Sequence, residues 1–189
     1  MTKSILMNIL NIFIVLTLFS PSISFGAEKK PKKPPVQVQA TTQESAITDA
    51  NIAASVKMAD ELLKKGAFDS SLRIYQKIYN YTKDVLITTK LLQTQYEKVL
   101  NEPSTAQNDR EDIMIKQKRM KQIVPKYGSI KESASYNLGY IYAKKGDPER
   151  ARKYLSEVLE TAPFSLKNDS LWMKTKTLLL GQYGLEGEF

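Results

Sequence analysis

The sequence predicts an all-α protein built as a stack of antiparallel helix pairs, and three observations predict it. From Asn51 onward the apolar residues recur at helical spacing, and no stretch shows the strict alternation of a half-buried strand. Gly66, Pro103, Pro125, Gly128, Gly146 and Pro163 punctuate this pattern as helix joints. Two of the joints share one design. Lys64-Lys65-Gly66 ends a helix on basic residues and a glycine, with Asp69 as the expected cap of the next. Lys144-Lys145-Gly146 does the same, followed by Asp147 and by Pro148 at the first helical position.

The chain has 189 residues and a formal net charge of +8. Residues 1–26 read as an export signal. Lys3 supplies a positive start, Ile5 to Phe19 is an apolar run, Pro21 stops it, and Ser24 and Gly26 are small where a signal peptidase inspects the chain. Cleavage is expected between Gly26 and Ala27, in which case the mature protein is exported and periplasmic. The alternative is an uncleaved inner-membrane anchor. The run is shorter than the roughly 20 residues that cross a bilayer, but Lys29, Lys30, Lys32 and Lys33 follow it closely, where positive charge resists translocation. Residues 27–50, rich in proline, lysine and small polar residues, read as a disordered linker that cannot bury enough surface to offset its ordering entropy.

Seven helices are expected over residues 51–189, at about 51–65, 69–82, 84–101, 109–124, 130–145, 148–161 and 168–182. Aligning the two glycine joints exposes a repeat. Around the second joint lie Leu138, Gly139, Tyr142, Ala151, Leu155, Val158 and Pro163. Around the first lie Met58, Ala59, Leu62, Ser71, Tyr75 and Ile78. Side-chain size is kept throughout: small at 59, 71, 139 and 151, large at 58, 62, 75, 78, 138, 142, 155 and 158. The small residues allow close approach of two helices, the large ones fill the space on either side, and Pro163 turns the chain away.

This pattern resembles the tetratricopeptide repeat, a helix pair of about 34 residues. Tyr142, Ala151 and Pro163 match its motif, Leu155 stands for the usual Phe, and Ser135 departs from the preferred Trp. The resemblance spans about 51–163. It implies a right-handed superhelical α-solenoid with units at about 51–83, 84–124 and 130–163, closed by a capping helix at 168–182. Gly66 and Gly146 stand 80 positions apart, which leaves room for the middle unit, one that carries no motif residues of its own.

The resemblance also implies a concave groove lined by the first helix of each pair. Tyr136, Asn137, Tyr140 and Lys144 would line it in one unit and Lys57, Asp60 and Lys64 in another, binding a protein or peptide. The two phenols cover apolar side chains, Asn137 pairs with backbone amides, and the lysines hold carboxylates. A second candidate surface is the basic stretch Lys116, Lys118, Arg119 and Lys121, read as one cationic face of an amphipathic helix. It would meet anionic lipid or glycan.

Composition narrows the chemistry. The chain has neither Cys nor His, which removes disulfides, thiolate metal sites, Cys nucleophiles and the usual general base of a hydrolase triad. No phosphate loop, nucleophile elbow or metal-ligand spacing appears. The expectation from composition is therefore a non-enzyme with no cofactor, no metal and no small-molecule substrate; the resemblance implies an adaptor, with a place in a cell-envelope assembly as one reading, and export argues against a nucleic-acid partner.

Overall fold

The computed structural model describes residues 46–188, so the signal-peptide reading and the linker up to residue 45 lie outside the described residues. Five helices follow one another: α1 (Ile52–Lys64), α2 (Phe68–Asn101), α3 (Gln107–Lys144), α4 (Pro148–Thr161) and α5 (Leu171–Gly181). Each packs antiparallel on its neighbour in the chain, α5 also touches α3, and α1 packs on α2 alone. The described residues form a stack of antiparallel helices, with no strand among them.

The two glycine joints are superimposable in their chemistry. Gly66 and Gly146 both adopt left-handed backbone, at φ 74° and 73°, where an L side chain would be strained. In each joint the amide of the following residue closes back on the last turn: Ala67 N–H donates to the Leu62 carbonyl and Asp147 N–H to the Tyr142 carbonyl, both at 2.9 Å. Their caps differ. Asp147 accepts from the Arg150 amide at 3.0 Å. Asp69 caps nothing: the helix begins earlier, at Phe68 after Ala67, and the Asp69 carboxylate instead pairs with Lys145 of the other joint.

Close approach holds each pair together. Ala59 and Ser71 are fully buried, and Ser71 Oγ donates to the Ala59 carbonyl at 2.9 Å across the α1–α2 pair. In the second pair a Cβ added to Gly139 would fall 2.6 Å from Leu155 Cγ and 3.3 Å from the Ala151 carbonyl oxygen. Ile78, Leu138, Ile141, Leu155 and Val158 fill the surrounding core. Met58 departs from its expected packing role. It is 50% exposed, whereas Leu138, at the corresponding position, is fully buried. The reason is positional: α3 lies between α2 and α4, but α1 has a neighbour only in α2.

Seven expected helices become five because two joints are bridged. The segments expected at 69–82 and 84–101 are one helix, and α3 runs unbroken through Pro125 and Gly128. Ile113, Met120, Tyr127, Ala134 and Ile141 recur every seven residues along α3, and all are buried. Tyr75, Thr82 and Thr89 do the same along α2. This spacing is that of a coiled-coil seam. The two threonines sit in it without penalty, because their hydroxyls donate to the Ile78 and Val85 carbonyls at 2.8 Å. Pro125 is exposed. Helix geometry turns it away from the seam, so the carbonyl it leaves unbonded can be hydrated. A proline costs a helix interior about 3 kcal/mol, which burial of Met120 and Tyr127 at about 1.5–3 kcal/mol each offsets. At the far end of the α2–α3 hairpin the Arg110 guanidinium donates to the carbonyls of Leu100, Glu102 and Thr105 and so pins the turn.

A tyrosine cluster joins the two pairs. The rings of Tyr79 (α2) and Tyr154 (α4) meet edge-on at 5.3 Å, and Tyr154 stacks on Tyr142 at 5.8 Å. Tyr79 Oη donates to Glu157 at 2.9 Å, and Glu157 also pairs with Lys131. Tyr154 Oη donates to Gln76 at 3.0 Å. The last residues of the expected linker, 46–50, are ordered against this scaffold. Ile47 packs on the core, the Asn51 side chain ties the turn to Ala46 and Thr48, and Asp49 accepts from Tyr127 Oη and pairs with Lys126. Those two donors hold the Asp49 carboxyl below its ordinary range.

Two glycines of α3 should therefore respond oppositely to alanine. At Gly139 overpacking costs about 1–3 kcal/mol, against about 1 kcal/mol returned by helix preference, so Gly139→Ala should lower the urea midpoint. At Gly128 an added Cβ meets nothing within 4 Å, so Gly128→Ala should raise stability by up to about 1 kcal/mol. Equal shifts of the same sign would refute the close-approach account.

Candidate functional site

Helix order places α1, the second half of α3 and α5 around one concavity. One part of it is a cavity of about 480 Å³. Val56 and Asp60 come from α1, Tyr75 from α2, and Ser129, Ile130, Ser133, Ala134, Tyr136 and Asn137 from α3. Asp169, Leu171 and Lys174 close it from α5 and the loop before it. An adjoining cavity of about 460 Å³ continues along α5, lined by Tyr140, Asn168, Thr177, Leu178, Gly181, Gln182 and Glu186. Tyr136 and Lys174 line both, so the two form one groove.

Local structure explains why these side chains are presented. Tyr136 and Tyr140 are four residues apart and share a face of α3, opposite the face on which Ser135, Leu138 and Gly139 are buried. With Gly139 nested against α4, Tyr136, Asn137 and Tyr140 line the groove, all three half-buried and Tyr140 also packed against the core. Burial raises the Tyr136 phenol, with Tyr140 beside it adding to the effect. Ser170 caps α5 by accepting from the Met173 amide at 3.2 Å, and this sets Leu171 and Lys174 on the groove.

Asp60 is held in place from below. The buried Tyr75 hydroxyl, on a side chain only 1% exposed, donates to its Oδ1. Burial foremost, and then the Asp60 carboxylate, push the Tyr75 phenol well above its ordinary value, so it stays protonated and remains the donor.

Of the residues expected in the groove, Tyr136, Asn137 and Asp60 line the first cavity and Tyr140 the second. Lys57, Lys64 and Lys144 line neither and are exposed. Lys144 lies 5.5 Å from the centre of the Tyr140 ring. Sequence reasoning missed Tyr75, Asp169 and Lys174 as lining residues. Tyr75 reads as core from its spacing, and Asp169 and Lys174 reach the groove only through the docking of α5. In the basic stretch, Lys118, Arg119 and Lys121 lie on the half of α3 turned away from the α2–α3 seam and Lys116 lies nearer the seam, because successive residues turn about 100°. All four are exposed, and Lys116 pairs with Asp112 at 3.5 Å.

Residues 133–165 match the model of the tetratricopeptide repeat family, which covers the second glycine joint and the groove face of α3. No curated protein and no solved structure matches the chain.

The Tyr75–Asp60 contact predicts a specific stability loss. Tyr75→Phe keeps the ring in the core but leaves a half-buried carboxylate without its donor, a deficit of about 1.5–3 kcal/mol for a bond to a charged group. Urea unfolding followed by circular dichroism should show that loss with native helicity retained. An unchanged midpoint would mean that the hydroxyl does not anchor Asp60.

Proposed function

We propose, on the premise that this is a tetratricopeptide repeat protein, that it is an adaptor whose groove captures an extended segment of a protein partner. Repeats of this family serve in general as protein-interaction modules. One observation carries the choice of site: side chains from three separate helices, Asp60, Tyr136 with Asn137, and Lys174, converge on one cavity of peptide-binding size. Its mechanism is geometric. The groove is preformed by core packing, so a partner pays little for ordering the protein. Aromatic rings supply contact area at low entropic cost, and the Asn137 amide can both donate to and accept from a partner backbone.

The competing reading, a peripheral binder of anionic lipid or cell-wall polymer, draws less support. Its cations spread over about half of the circumference of α3, and Lys116 is already paired with Asp112.

We further propose that the adaptor works after export, in the periplasm and as part of an envelope assembly, with residues 1–26 removed. The apolar run Ile5–Phe19 followed by Ser24 and Gly26 supports this reading.

Two experiments test these proposals. Asn137→Ala combined with Tyr140→Ala should weaken partner capture at least tenfold while native helicity is retained; Tyr140 also packs against the core, so some loss of melting temperature accompanies the change and capture is measured well below it. Undiminished pull-down by the double variant would remove the groove assignment. Separately, intact-mass measurement on the protein from its native host should give a chain beginning at or near Ala27; a mass that retains Ile5–Phe19 would establish the anchor instead.

A further inference from the structure

Charge within the groove runs against the charge of the molecule. The chain carries a net +8. Yet the ionised side chains lining the two cavities are Asp60, Asp169 and Glu186 against Lys174 alone. The lysines that the sequence suggested for gripping carboxylates lie elsewhere. We infer that the partner segment presents a basic side chain, arginine in first place, to the carboxylates of Asp60 and Asp169. This rests on the adaptor reading above and specifies its ligand.

Three features support arginine. First, Asp60 is half-buried and its hydrogen-bond partner is a phenol, which orients the carboxylate and leaves its negative charge intact. A carboxylate withdrawn from water gains most from a charged donor, and a guanidinium offers two donors in a fork that matches it. Second, Tyr136 lines the same cavity, and a phenol ring can take the flat face of a guanidinium. Third, Asn137 lies beside them to hold the backbone on either side of that residue. An acidic or phosphorylated segment would find only Lys174 and would face the repulsion of three carboxylates.

Selection of random hexapeptides on the immobilised full chain tests this. Enriched sequences should share an arginine, or secondarily a lysine, at one position. A selected peptide should lose at least tenfold in affinity when that residue becomes glutamine. It should lose similarly against the Asp60→Asn, Asp169→Asn double variant, in which residue 60 can still accept from Tyr75. Against Asp60→Lys, enrichment should turn to acidic peptides. Acidic or uncharged consensus peptides that are still lost on Tyr136→Ala would overturn the arginine assignment and leave the groove standing. No enrichment at all, or peptides indifferent to both Tyr136→Ala and Asn137→Ala, would overturn the groove reading and this inference together.

Discussion

Close backbone approach at small residues is the constraint on which the rest of the structure depends. Gly139 lies where even one methyl would collide with Leu155, and Ser71 bonds directly to the backbone of Ala59. These contacts set the helix spacing within each pair. That spacing in turn decides which face of α3 is buried and which is left to line the groove. The buried leucines, isoleucines and tyrosines supply hydrophobic free energy, which is not directional. The small residues decide which faces meet.

Between the two motif-bearing pairs the chain uses a different device. Rather than a third compact pair, α2 and α3 continue past their repeats as a long antiparallel hairpin with a seven-residue seam. Arg110 closes its far end by satisfying three carbonyls. Where the pairs meet, Tyr79, Tyr142, Tyr154, Lys131 and Glu157 form a mixed aromatic and ionic junction. Lys131 and Glu157 are only 14% and 23% exposed, so solvent screens their attraction less than it would a surface pair.

Legibility from sequence followed the physics of each feature. The glycine joints could be read because a left-handed residue after two lysines leaves few alternatives, and the Gly139–Ala151 approach because small residues stood at matched positions. Pro125 misled because propensity is local, whereas Met120 and Tyr127 bind that turn to α2 through contacts distant in sequence. The seven-residue spacing of Ile113, Met120, Tyr127, Ala134 and Ile141 was the signal that could have overruled the proline. Met58 misled because a repeat alignment matches residue size and does not count the helices that flank each unit: α1 has a neighbour only in α2. In the groove, Tyr136, Asn137, Tyr140 and Asp60 followed from the repeat resemblance, which assigns those positions on the first helix of each pair. Asp169 and Lys174 did not, since no local pattern states where a terminal helix docks, and with them went the sign of the groove's charge.

The account's central claim is that partner contact is made by the groove face of α3 and not by the projecting hairpin. A photo-crosslinking residue placed at position 136, and separately at position 115 on the exposed surface of the hairpin, tests this in the native host. The account predicts one discrete partner adduct from position 136 and none from position 115. An adduct from position 115 with none from position 136 would contradict it.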